Sequence, residues 1–435
     1  MAASSRRAVL TGLGVISPIG TDPASFWNAL QSGRSGIRPI QTFDASSLPV
    51  RIAGEIPDFD AREYVEKKDR KGLKMMARTI QLAVAAAQRA LEDGAVDKSR
   101  LDPDRFGVEF GAGLIATELP ELVDAALVSV NCQPGVVDLE KWGGPGLEAI
   151  PPTWMLKYLP NMLACHVSIL HDARGPNNTI TESDVASLMA LGEAYRILGR
   201  EGADFFLVGG AESKLNPLSL VRQCLFEPLS RQNEAPEKAC RPFDRKRDGL
   251  VVGEGASVLI LEDLEHARKR GARIYAEMVG FGAAFDRGQT GEGLARAIRA
   301  ALNDVGIGPE DVDHVNAHGL ATRASDAWEA RGLQRIFGNL KEPVPVFAAK
   351  SYLGNLGAGG GTTELAASLL ALQNGRVPPT LNYEQPDPDC PVAVVAGTPR
   401  PVTKAHVLKV GFTQMGQCAA LVLRQWKQEA VSRRQ

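Results

Sequence analysis

Phe205-Phe206-Leu207-Val208-Gly209-Gly210, and further on Gly253-Glu254-Gly255 leading to Val258-Leu259-Ile260-Leu261, decide the fold. Each is a short, almost wholly apolar run set beside glycines, the pattern of a strand buried on both faces and bounded by turns. The stretches between such runs have a different period. From residue 75 to 91, Met75, Met76, Ile80, Leu82, Ala83, Ala86, Ala87 and Leu91 recur at three- and four-residue spacing, which predicts a packed helix. A second helix is predicted from Glu364 to Gln373, stopped by Asn374-Gly375 and followed by Pro378-Pro379. Because strand-like and helix-like stretches alternate along the whole chain, the expected class is a layered α/β fold.

The bulk numbers agree with a large core. The chain has 435 residues, of which 44% are hydrophobic and 23% charged, so two lobes of similar size are expected. The charged connection Asp263 to Arg270 divides them, giving lobes 1–262 and 263–428 of similar α/β character, compatible with an old duplication. At the start, Met1 to Val15 carries two arginines and then enters an apolar, strand-like segment with turn glycines at Gly12 and Gly14. The polar tail after Trp426 is expected to fray.

Composition also excludes several function classes. A formal charge of −2 gives no electrostatic reason to bind nucleic acid or an anionic membrane, so the partners should be small molecules or proteins. No apolar run approaches the ~20 residues a membrane-spanning helix needs, and a cytoplasmic location is expected. The six cysteines, Cys132, Cys165, Cys224, Cys240, Cys390 and Cys418, form no CxxC pair. That spacing argues against a zinc site or a disulfide framework, and reduced cysteines with no metal or other cofactor are expected.

Several longer motifs narrow the reading. Arg7-Ala8-Val9-Leu10-Thr11-Gly12-Leu13-Gly14 is followed by Ser17-Pro18-Ile19-Gly20, then Val208-Gly209-Gly210-Ala211-Glu212 and Arg241-Pro242-Phe243-Asp244 with Arg247-Asp248-Gly249. Next come Val315-Asn316-Ala317-His318-Gly319 with Asp326 and Glu329, Lys350-Ser351 with Glu364, and Val377-Pro378-Pro379-Thr380-Leu381-Asn382. In this order, from residue 6 to about 425, the chain resembles the β-ketoacyl-ACP synthase II branch of the thiolase superfamily. The resemblance implies a five-layered αβαβα sandwich of two lobes, acyl transfer between acyl carrier protein thioesters, and a homodimer or a heterodimer with an active synthase.

What the resemblance implies for the chemistry is carried over position by position. A condensing enzyme of this family uses a cysteine at the N-terminus of a buried helix, where the dipole lowers the thiol pKa and backbone N–H groups receive the oxyanion. Counting from Gly175-Pro176, that position is Asp184. Of the two histidines that stabilise the enolate, the first is matched by His318, but Asn355 stands at the second. An asparagine amide donates a hydrogen bond but carries no positive charge. Lys350 and Glu364 match the family's supporting charged pair. The two pantetheine-contacting threonines correspond to Leu320 and Thr322, and the C-terminal gate reads Gly411-Phe412-Thr413-Gln414-Met415-Gly416-Gln417, with Phe412 and Gln414 as substrate-side residues. The segment Asp286 to Gly293 is shorter than the usual substrate-mouth loop.

Three local readings stay open at Asp184. Aspartate is among the best N-cap residues, so the position reads as a helix start. As a nucleophile, a carboxylate would form a readily hydrolysed mixed anhydride and could not store an acyl chain. Alternatively Ser183, one residue earlier, serves as nucleophile with His318 as base. Together the substitutions point to a non-condensing partner of the chain-length-factor type, the alternative being an altered acyl-thioester enzyme using Asp184 or Ser183 with His318. Cys165-His166 also pairs a thiol with an imidazole, but neighbours on one element point in different directions, which places them poorly for sharing a proton. No HExxH or P-loop motif occurs.

Overall fold

The computed structural model describes residues 6–130 and 135–427. The first half of the chain supplies β1 (Ala8–Ile16), α1 (Arg78–Asp93), β2 (Phe106–Ala112), α2 (Met162–His171), β3 (Asn177–Ile180), α3 (Ala186–Gly199), β4 (Phe205–Ser213) and β5 (Glu254–Asp263). The second half supplies β6 (Ala276–Phe285), α4 (Glu292–Val305), β7 (Val312–Asn316), α5 (Arg323–Phe337), β8 (Pro345–Phe347), α6 (Gly360–Asn374), β9 (His406–Phe412) and β10 (Gln417–Gln425).

The strands of the first half are ordered β1-β5-β4-β2-β3 and those of the second β6-β10-β9-β7-β8, one topology used twice, with a short eleventh strand, Ala393–Val394, added parallel to β8 at that edge. Pair directions repeat as well. β1/β5 and β5/β4 are antiparallel, β4/β2 and β2/β3 parallel, and their second-half counterparts match in turn. Antiparallel pairing of Ala8–Leu10 with Ala276–Met278 joins the two halves edge to edge.

Helices then complete five layers. α1 and α2 cover the outer face of the first half, α3 and α6 lie between the two halves of the sheet, and α4 with α5 close the other side. This is the αβαβα sandwich expected from the sequence. α3 and α6 are nearly encased, because each meets sheet on two sides. Small residues bring the start of α3 onto the sheet: a Cβ on Gly111 would stand 2.2 Å from the Ser187 backbone nitrogen.

Five local expectations are corrected. β4 does not end at Gly209-Gly210 but runs to Ser213, and Gly12 and Gly14 lie inside β1. These glycines serve close packing, since a Cβ would stand 1.9 Å from Ala86 O at Gly14 and 2.0 Å from Ser257 O at Gly209. The first predicted helix begins at Arg78, because Arg70–Met75 forms a 3-10 turn and Met76 is extended. α6 ends as expected at Asn374, with Gly375 left-handed at φ 67°, but starts at Gly360. Its glycine-rich start is needed because a Cβ on Gly361 would meet Leu188 Cγ at 2.7 Å. Finally, Asp263 to Arg270 is a helix from Leu264, capped by the Asp263 carboxylate through the Glu265 and His266 N–H groups.

Candidate functional site

The middle layer brings the candidate residues together. Between β3 and α3 the chain makes a single 3-10 turn, Ser183–Val185, with Ser183 at φ 49°. The left-handed residue places Asp184 inside the turn instead of ahead of the helix. Val185 occupies the N-cap position of α3 and no side chain caps it, so the N-cap reading of Asp184 is corrected. Asp184 Oδ1 is buried with no hydrogen-bond partner among the described residues.

The turn packs on Gly357–Gly359, which follows Asn355, and on β9. It also meets β2, β10 and α6, and Glu212 at the end of β4 lines the same cleft as Ser183. Glu212 Oε2 accepts the Ala358 N–H at 2.7 Å, and its carboxylate fills the space that a Cβ on Gly357 would need. Lys214 Nζ stands 3.6 Å from Glu212 Oε1. Burial alone would lower the Lys214 pKa, but the charges of Glu212, Asp184 and Glu227 outweigh it and raise it. A cleft of about 860 Å³ opens here, lined by Leu114, Thr181, Ser183, Glu212, Lys214 and Phe226 among others. Its walls do not include His318, Lys350 or Asn355.

The second half supplies a tighter array. His318 follows the end of β7 and is buried, with its ring against Phe412 at 4.4 Å between centroids. Lys350 Nζ lies 3.1 Å from His318 Nδ1 and 2.5 Å from Glu364 Oε1. An ammonium can only donate, so Nδ1 is the acceptor and the imidazole proton sits on Nε2. Burial, then Lys350 and Lys409, hold the His318 pKa well below its ordinary 6.5. Nε2 is itself buried and finds no partner among the described residues.

The loop carrying His318 is fixed from α5. Glu329 accepts the backbone N–H groups of His318 and Gly319 at 2.7 and 2.8 Å, and burial pushes its pKa up to about 7. Asp326 accepts from Phe243 and Ala321 and lies 3.3 Å from Arg247; burial raises it to about 6. These contacts account for the Arg241 to Asp248 motif, which braces the loop from below.

The remaining sequence candidates separate into structural and peripheral roles. Asn355 is buried, its side-chain oxygen accepting the Gly357 N–H at 3.3 Å. Thr322 caps α5 through the Ser325 N–H. Phe412 lies between His318 and Trp328, whereas Gln414 is exposed and bonds Glu227 on the cleft wall at 2.7 Å. Cys165 Sγ contacts Asn161, four residues before it on the chain, and not His166. Cys132 falls outside the described residues, and the other five cysteines are free. Among the described residues no group of three or more metal-ligating side chains occurs, and no helix is long and apolar enough to cross a membrane.

Sequence reasoning missed Lys409, Glu212 and Lys214. Lys409 is fully buried in β9, its Nζ 2.5 Å from Glu364 Oε2 and 3.1 Å from both Asn316 Oδ1 and Ala317 O. A signal for it existed. A lone lysine in Val407-Leu408-Lys409-Val410-Gly411-Phe412 must find a counter-charge if the strand is buried.

Comparison with known proteins fits this geometry. The models of the beta-ketoacyl synthase N-terminal and C-terminal domains match residues 5–267 and 275–384. The chain is 36% identical over 425 residues to 3-oxoacyl-[acyl-carrier-protein] synthase 2 of Coxiella burnetii, covering 96% of this chain and 98% of that one. Among solved structures, the ishigamide ketosynthase/chain length factor is 31% identical with a TM-score of 0.84, over 97% of this chain and all of the other. A type II PKS acyl-carrier protein in complex with its ketosynthase bound to the hexaketide is 28% identical, with a TM-score of 0.81 over 97% of this chain and 100% of that chain. On this evidence of sequence, strand order and site architecture, the chain belongs to the beta-ketoacyl synthase family.

Proposed function

We propose that this chain is a non-condensing member of the family, a chain-length-factor-like partner of an active ketoacyl synthase in fatty-acid or polyketide synthesis. Asp184 carries the reading. It stands where the family's cysteine would be, at the entry to α3, with an unpartnered buried oxygen. A carboxylate there stores no acyl group, and facing a malonyl carboxylate at ~4 Å would cost about 4 kcal/mol at an effective dielectric of 20. Asn355 in place of a second histidine removes a charge from the enolate side.

Support for a protein partner comes from exposed apolar side chains: Leu114 and Phe226 on the cleft wall are more than half exposed, as are Leu127, Leu139, Met155 and Leu225 elsewhere in the first half. β3 is an edge strand with exposed residues, a ready template for pairing with a second chain. We read lobes 1–262 and 263–428 as one half of a dimer, homomeric or with an active synthase, that works in the cytoplasm and meets acyl carrier protein. The ishigamide assembly, by its name, joins a ketosynthase with a chain length factor, and this chain resembles it over nearly its full length.

The test is intact-mass spectrometry of the purified protein after incubation with acyl-ACP, with carbon dioxide release from malonyl-ACP followed in parallel. No adduct and no gas are expected from the wild type, whereas Asp184→Cys should gain one acyl group. Acylation or condensation by the wild-type protein alone would overturn the reading. A second reading, an altered acyl-thioester enzyme, is favoured by one observation: the intact Lys350-His318 contact. It requires that Asp184→Ala or His318→Ala lower a measured thioester turnover.

A further inference from the structure

We propose that Lys409 is a positioning residue for His318: by sharing Glu364 with Lys350, it commits Lys350 to His318 Nδ1 and fixes the ring as a neutral Nε2–H donor. The inference is independent of whether the protein condenses anything.

The argument begins with Glu364. Its two oxygens are divided between two buried ammonium groups, Oε1 to Lys350 and Oε2 to Lys409, each at 2.5 Å. A carboxylate with one cation can turn both oxygens toward it. With two cations one oxygen goes to each, so the carboxylate holds Lys350 through a single N–H on the side away from Lys409, and another of its three N–H groups meets His318 Nδ1 at 3.1 Å. Lys409 also grips the segment that carries the histidine, because its remaining N–H groups meet Asn316 Oδ1 and Ala317 O, the two residues before His318. Asn316 Nδ2 returns to Glu364 O and Ser368 Oγ at 2.7 and 2.8 Å, closing the network.

The charge arrangement acts in the same direction. His318 faces two ammonium groups, Lys350 and Lys409, across a single carboxylate they share. The other acids nearby, Glu329 and Asp326 on α5, have pKa values raised by burial to about 7 and about 6, so they lose negative charge as the medium acidifies and give little help to an imidazolium. A protonated His318 would also put a donor at Nδ1 against the Lys350 ammonium. The ring is thus held ready to donate from Nε2 to an oxygen and is disfavoured as a proton acceptor.

Long-range proton–nitrogen NMR of the full chain labelled with ¹⁵N-histidine tests this directly. The chain has six histidines, and His318→Asn identifies the relevant signals. Wild-type His318 is expected to show the Nε2–H tautomer and no titration between pH 5 and 8. Lys409→Gln keeps an amide donor for Glu364 or Asn316 but removes the charge, and should move the His318 titration upward by about one pH unit or more. Lys409→Arg, which keeps the charge, should leave it outside the window. A wild-type His318 that titrates near 6.5 or carries its proton on Nδ1 would overturn the proposal without any variant. With both proteins titrated down to the lowest pH at which they stay folded, a Lys409→Gln profile superimposable on the wild type over that whole range would overturn it too, leaving Lys409 as packing alone. If Lys409→Gln does not fold, Lys409→Met, which removes the charge and keeps the buried chain, takes its place with the same two outcomes.

Discussion

The two halves of the molecule meet at one site but treat their buried carboxyl groups differently. On the second-half side, Glu364 is shared by two lysines, Glu329 takes two backbone N–H groups, and Asp326 takes two more beside Arg247. On the first-half side, Asp184 Oδ1 and Glu109 Oε2 are the buried carboxyl oxygens that lack a partner among the described residues. Glu109 lies on β2 beside the edge strand β3, and Asp184 on the turn that leaves it. Buried polar atoms are nearly always paired, so an unpaired one marks a place that water, a ligand or another chain completes. The buried carboxyl groups of the second-half side are finished within the chain, and so is Glu212 on the first-half side, whereas these two oxygens are left open.

Glu364→Ala should break the finished side with the largest effect. It leaves Lys350 and Lys409 buried without their carboxylate, and removing one partner of a buried pair costs about 3–5 kcal/mol. Chemical denaturation measures it. A loss below about 1 kcal/mol would mean that the two lysines shed their charge or reach water, and the contrast between the sides would fall.

Glu109→Gln sharpens the contrast through pH. Burial, and then the charge of Glu193, push the Glu109 pKa from an ordinary 4.5 to about 8. Between those values the folded protein holds a proton that the unfolded chain has released, so stability declines as pH rises and the decline ends above the folded pKa. From pH 7 to 8 most other acids have finished titrating in both states, and the wild type should lose about 1 kcal/mol that Glu109→Gln does not lose. Urea midpoints at the two pH values check this. Equal slopes for the two proteins would show that Glu109 has a partner in solution, as pairing along β3 would provide.

Much of this was legible in the residues. Apolar runs and alanine-rich periods give the layers, and the long motifs place His318, Lys350, Glu364 and Glu329 in one site because each motif is a run of residues whose contacts are local or lie in the next strand. Three things were not legible. Gly14, Gly209 and Gly361 look like turn or breaker residues in one dimension, but their meaning comes from a backbone oxygen or a side chain across the layer. Lys409 shows in the sequence as a charge in a buried strand, yet its counter-ion comes from α6, 45 residues away. The N-cap preference of aspartate is a true local tendency that lost at Asp184 because the chain turns at Ser183, φ 49°, and the helix starts one residue later, with Val185 at its N-cap.

Asp184→Ala is the smallest and most discriminating change. In the folded chain Oδ1 is buried without a partner, so deleting the carboxyl removes an unpaid desolvation cost, and the variant should be as stable as the wild type or more stable by about 1 kcal/mol. One interaction opposes that gain. Asp184 contributes to the raised pKa of Lys214, and its removal takes away one of the charges that face this lysine. Lys214 nevertheless retains Glu212 at 3.6 Å, so the loss should be a fraction of the gain. Denaturation of the isolated protein gives the sign. A stabilised variant would show that the chain keeps Asp184 at a cost to its own folding, as a residue kept for a ligand or partner would be. A variant less stable by more than about 1 kcal/mol would instead make Asp184 and Lys214 a structural pair, and the first-half side would then be as complete as the second.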